Sequence, residues 1–150
     1  LLVPYTLALC NRLAPCWPAG AELPDTINKI VLVFTNGCWA HQDFAKSLVM
    51  AAKKGCTSIP IVSEKDFRYP NEAFLSTIVE TGAPAGLACS GKQLAQIVED
   101  IFKDIAVEVG AGDSLPVIDM RVQLVAKAMA NTSARSLTFA SDSAEDPDSI

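Results

Sequence analysis

"KIVLVFTNGCWAHQDFAKSL", residues 29–48, decides how the chain is read. Ile30 to Thr35 is apolar and β-branched without alternation, the pattern of a strand covered on both faces. A polar turn follows, holding the chain's one histidine, His41. From about Gln42 to Lys54 the spacing predicts a helix. Phe44, Leu48 and Ala51 or Ala52 share a face, Lys53 and Lys54 complement the helix dipole, and Gly55 ends it. "TSIPIV", Thr57 to Val62, reads as a second strand, although Pro60 lacks an N–H and suits an edge, an end or a bulge better than a central position. Strand, helix and strand with short joints form a βαβ unit, which requires a right-handed crossover and a parallel sheet.

Further along, "YPNEAFLSTIVETG" predicts a short helix started by Asn71 or the turn before it, with Phe74, Leu75, Ile78 and Val79 inward and Gly82 at its end. "GAPAGLACSG" is a loop. In "KQLAQIVEDIFKDIAVEV", Leu94, Ile97, Val98, Ile101, Phe102 and Ile105 recur at helical spacing, which predicts one amphipathic helix on a core. Ile118, Val122, Val125 and Met129 mark another helix after "GAGDSLP". From about Ser133 the chain is polar, acidic and aperiodic. It therefore divides into a folded domain over 1–132 and a disordered tail or linker over 133–150. Ahead of the first strand, "CWPAGAELPDTINK" is either an exposed recognition loop or a plain connector, and composition favours the connector.

At 150 residues, 50% of them apolar and 19% charged, the chain suits one compact domain. Its net charge of −5 gives no electrostatic reason for a nucleic-acid partner. Cys10, Cys16, Cys38, Cys56 and Cys89 contain no C-x-x-C pair and have a single histidine beside them. Neither a metal site nor a closed disulfide framework is implied, and buried thiols in a reducing, cytoplasmic compartment are expected. The chain opens on Leu1 rather than Met, as a fragment or a processed piece would. "LLVPYTLALC" lacks the basic flank and cleavage site of a signal peptide. No run reaches the roughly 18 apolar residues of a membrane span, so no membrane insertion is expected in this segment.

A turn with a Pro-x-Gly core, a short helix ending in isoleucine, the strand "VLVFT", a polar turn, a helix and the strand "IPIV" follow one another here. That order resembles a TIR (Toll/interleukin-1 receptor) domain from its BB loop through its strands C and D. "FRYPNEAF" is similar to the segment after strand D in TIR-like domains of protist and algal type, and "IFKDIAVEV" to their last helix. The resemblance covers roughly residues 15 to 110. It implies a flavodoxin-like, three-layer α/β/α fold with a parallel sheet, incomplete at the N-terminus, because too few residues precede Pro18 for the family's opening strand and helix. "LLVPYTLALC" would then supply only the strand B region. It also implies contact with other TIR domains, or self-association, through a loop of Trp17, Pro18, Ala19, Gly20 and Glu22.

Some TIR domains cleave the nicotinamide–ribose bond of NAD, which needs a carboxylate near the ribose as positive charge develops. The family's acid lies on the helix after strand C. Aligned on that pattern, Phe44 falls at the aromatic position, Ala45 at the cysteine and Leu48 at the glutamate. Leucine neither stabilises positive charge nor moves a proton. The resemblance therefore implies a signalling or scaffold domain without a cofactor or catalytic residue. The alternative is an NAD+ nucleosidase that uses a displaced acid, Asp43 or Glu64. Asp43 has a structural reading as an acid in the first helical turn. His41 with Cys38 makes a Cys-His pair conceivable, against a solvent-facing turn histidine. Trp17 and Trp39 read first as core cover and second as partner anchors. Glu64, Lys65, Asp66 and Arg68 lie after the second strand, at the end where open α/β sheets bind ligands, and read first as a solvated loop. A different flavodoxin-like domain, receiver-like or nucleotide-binding, is the third reading, but the sequence has no G-x-G-x-x-G or phosphate loop.

Overall fold

The computed structural model describes residues 18–110, 112–131 and 136–140. The expectations for residues 1–17, Trp17 among them, lie outside the described residues, as does the end of the chain from 141. Strand β1 (Lys29–Phe34), helix α1 (Gln42–Lys53), strand β2 (Thr57–Val62), helices α2 (Glu72–Thr81) and α3 (Gly91–Ile101), strand β3 (Val107–Glu108) and helix α4 (Leu115–Ala130) follow in that order. A 3-10 turn, Cys38–Ala40, joins β1 to α1. The strands pair in parallel in the order β1-β2-β3. The chain thus has an α/β fold with a parallel sheet.

Alternation along the strands sends side chains to two cores. Leu32, Phe34 and Val62 pack with Leu48 and Val49 of α1 and with Leu94 and Val98 of α3. Ile59 and Ile61 face the other way and meet Ile118 and Val125 of α4. Both faces of β2 are therefore covered, which explains its continuous apolar run. The helix ends follow their local chemistry. Asn71 caps α2 by accepting the Phe74 N–H at 2.9 Å, and Ser90 with Gln93 forms a reciprocal capping box on α3. Gly55, at φ +65°, ends α1 in the left-handed region that favours glycine.

The structure corrects several expectations. Pro60 is neither at an edge nor at an end: it pairs with Leu32 in the middle of the central strand. The N–H groups of Thr57 and Ser63 donate to Asn28 and Phe34, toward β1, while the carbonyls of Cys56 and Val62 accept from Leu137 and Val109 on the opposite side. By alternation the Pro60 nitrogen faces that opposite side, in the gap between Leu137 and Val107, where the sheet asks for no N–H. The predicted long helix stops at Ile101. Phe102 to Asp104 turn, Ile105 is 96% exposed rather than inward, and "VE" becomes β3. Val79, expected inward on α2, is 48% exposed, because α2 rests on α3 along Leu75 and Ile78 instead. The boundary at 132 also shifts. Ser136 bridges to Thr57 and Leu137, 4% exposed, completes the first core, so residues 136–140 belong to the packed body. No helix among the described residues is long and apolar enough to cross a membrane.

Candidate functional site at the carboxyl end of the sheet

The carboxyl ends of β1 and β2 open into two loops that Asn36 ties together through its backbone and its side chain. The Asn36 N–H donates to Glu64 Oε2 at 2.9 Å, its Nδ2 donates to the Asp66 carbonyl at 3.1 Å, and its Oδ1 accepts the Arg68 N–H at 2.8 Å. Asparagine can do this because its amide offers donors and an acceptor at once. The loop after β2, expected to be merely solvated, is therefore held to the turn after β1. Lys65, Asp66 and Arg68 keep their side chains exposed.

Beside this junction lies a hollow of about 380 Å³ walled by Trp39, Tyr69, Pro70 and Phe74, with Asn36, Arg68 and Asn71 at its margin. Trp39 is half-buried. It packs on Phe34, Phe44 and Phe74 with ring centroids 5.7, 6.0 and 5.2 Å away, so it covers the core as expected and also forms a wall. The Tyr69 hydroxyl donates to Glu108 Oε1 at 3.1 Å. Burial and that acidic neighbour push its phenol up.

Among the described residues, those singled out in the sequence do not converge on a reacting centre. Leu48 is 0% exposed and sits in the first core, so the position aligned with the family's acid faces the sheet. Asp43 is exposed in the first turn of α1, the structural place foreseen for it, and lies under the Pro18–Ala21 turn. Glu64 accepts from Asn36 at the far loop. His41 is exposed at the start of α1 and meets Cys38 through the backbone, its N–H donating to the Cys38 carbonyl at 3.2 Å. Burial pushes the Cys38 thiol up to about 11. It is protonated at neutral pH and is no thiolate nucleophile.

The loop expected to contact partners is well defined from Pro18. Ala21 N–H donates to the Pro18 carbonyl at 3.1 Å, and Gly20 N–H to Ser47 Oγ of α1 at 2.8 Å. Gly20 is at φ +78°, and a Cβ there would lie 2.8 Å from Asp43 Oδ1. Pro18, Ala19 and Glu22 are exposed. Ser47, Tyr69 and Phe74 escaped the reading of the sequence as site residues. Ser47 lies in a predicted helix with nothing to mark its partner 27 positions away, and the two aromatics read locally as loop and core.

Such a fold with its loops gathered at the strand ends defines the class of protein: an α/β domain with a parallel sheet. Compared with models of protein families, with curated proteins and with solved structures, the chain matches none. Among the described residues no three His, Cys, Asp or Glu side chains group so as to hold a metal ion.

Proposed function

We propose that this chain is a TIR-like interaction domain of flavodoxin-like type, working in the cytoplasm by contact with other TIR domains or with a second copy of itself, and without NAD cleavage. The observation that carries this reading is the latch between Gly20 and Ser47. It fixes the Pro18–Ala21 turn on α1 and leaves Pro18, Ala19 and Glu22 outward. A loop already held in one conformation loses little entropy when a partner docks. The burial of Leu48 supports the non-catalytic half of the reading, since an acid in that position would have to ionise inside the core.

Sedimentation velocity over a range of concentrations tests the contact, using the protein and its Glu22→Arg and Ala19→Arg variants. Concentration-dependent association weakened by both substitutions is expected. A wild-type protein that stays monomeric and captures no TIR domain, or association indifferent to both changes, would overturn the loop. Incubation with NAD tests the other half. Nicotinamide release abolished by Asp43→Ala or Glu64→Gln would replace this reading with the NAD+ nucleosidase.

A further inference from the structure

The hollow beside Asn36 is not needed for the loop contact, and its lining is chemically specific. Trp39, Tyr69 and Phe74 give it flat apolar walls, and Arg68 supplies the cation at its margin. Among the described residues the Arg68 guanidinium makes no hydrogen bond or ion pair, while its backbone N–H is pinned by Asn36 Oδ1 at 2.8 Å. The charge is thus presented from a fixed loop without a partner of its own.

None of the nearby acids Glu64, Asp66 and Glu108 lines the hollow, and two of them already hold hydrogen bonds. Glu64 accepts from the Asn36 N–H and Glu108 from the Tyr69 hydroxyl. Glu72, in the first turn of α2, lines the separate groove between α2 and α3. That leaves the amino end of the 10-residue helix α2, capped by Asn71 at the rim of the hollow, to add positive potential there. A volume of about 380 Å³ lies within the range of small-molecule sites, which pair apolar walls with a few convergent polar groups.

We propose that this hollow binds a small aromatic acid, its carboxylate on Arg68 and its ring system laid against the wall that Trp39 and Phe74 form together. The guanidinium matches a carboxylate in a two-point geometry that a lysine would not reproduce. The aromatic walls favour a flat ligand over an aliphatic one of equal charge.

Titration calorimetry of the full chain with 2-naphthoate tests this, with 2-naphthalenemethanol and acetate as probes that keep only the ring or only the charge. Saturable 2-naphthoate binding is expected, with both other probes roughly tenfold weaker or more. Arg68→Gln should lose a similar factor, and Arg68→Lys should recover only part of it. Circular dichroism checks that the variants remain folded, which the exposure of Arg68 favours. Absence of saturable binding at millimolar 2-naphthoate would overturn the proposal. Equal binding by Arg68→Gln, or by the uncharged alcohol, would do so as well.

Discussion

Gly20 and Ser47 are joined by a hydrogen bond of 2.8 Å from the backbone N–H of one to the hydroxyl of the other, so the turn before β1 is fastened to the middle of α1. Two features make the site particular to these residues. Gly20 is at φ +78° with Asp43 occupying the space a methyl group would need, and the Ser47 hydroxyl also donates to the Asp43 carbonyl at 3.1 Å.

Gly20→Ala should destabilise the fold by about 1–2 kcal/mol, mainly from the left-handed backbone, because the exposed Asp43 side chain can swing aside. Ser47→Ala removes only the latch and should cost about 0.5–1.5 kcal/mol. Urea unfolding measures both. Hydrogen exchange at the Gly20 amide should accelerate in Ser47→Ala while the amides of β2 keep their relative protection, and unchanged exchange at Gly20 would show that the latch does not hold the turn.

Asn36 offers a sharper discrimination, since its Nδ2 and Oδ1 do opposite jobs. Asn36→Asp keeps an acceptor for the Arg68 N–H but loses the donor to the Asp66 carbonyl and adds a charge beside Glu64. A loss of about 1 kcal/mol at pH 7 is expected. The new carboxyl faces a carbonyl oxygen and another acid, so its pKa in the fold is raised above the unfolded value. Its destabilisation is then relieved as pH falls, and the gap to the wild type in urea midpoint should narrow between pH 7 and 4. A gap that widens would contradict the geometry of the junction.

Leu137 gives a prediction against the tail that composition suggests. It is buried in the first core while its backbone N–H donates to the Cys56 carbonyl at 2.8 Å. Truncation to alanine leaves a hole in that core. Leu137→Ala should cost about 2–4 kcal/mol by chemical denaturation, whereas substitution in a disordered tail would leave the midpoint unchanged.

These residues also show what the sequence could and could not carry. β1, α1 and β2 are legible because each is long enough for its period to be read, and Gly55 and Asn71 mark ends by their own chemistry. β3 is two residues long, and its apolar letters fall in register with the preceding helix, so Ile105 joined the wrong pattern. Pro60 misled because the rule against central prolines concerns the missing N–H, and which edge that N–H would face depends on pairing partners near 107 and 137. The junction at Asn36 needs Glu64, Asp66 and Arg68 brought from 28 to 32 positions away. Only the parallel pairing of β1 with β2 does that.

Leu48 stands where the resemblance would place an acid, and its environment predicts that restoring one would not restore chemistry. At 0% exposed among Phe34, Val49 and Val98, a glutamate could not ionise without unfolding its surroundings. Leu48→Glu should lose cooperative unfolding or fall by more than about 3 kcal/mol. Leu48→Ala, which only leaves a cavity, should cost about 2–5 kcal/mol and stay folded. A stable Leu48→Glu protein that released nicotinamide from NAD would show instead that this face of α1 is open to substrate.

The thiols predict how the fold responds to alkali. Burial raises Cys38 from an ordinary value of 9.0 to about 11, and it raises Cys56 and Cys89 in the same direction. A folded state that holds these protons more tightly than the unfolded chain is favoured while the unfolded thiols stay protonated, below about pH 9. Its advantage shrinks as pH rises from about 9 toward 11, where the unfolded thiols ionise before the folded ones. Urea midpoints measured from pH 7 to 10.5 should therefore fall most steeply above pH 9, and the fall should be shallower in Cys38→Ala. Cys38, 6% exposed, should also resist alkylation at pH 8 until urea opens the fold. Rapid labelling of Cys38 in the native protein would show that the turn opens readily and that its thiol is accessible to chemistry after all.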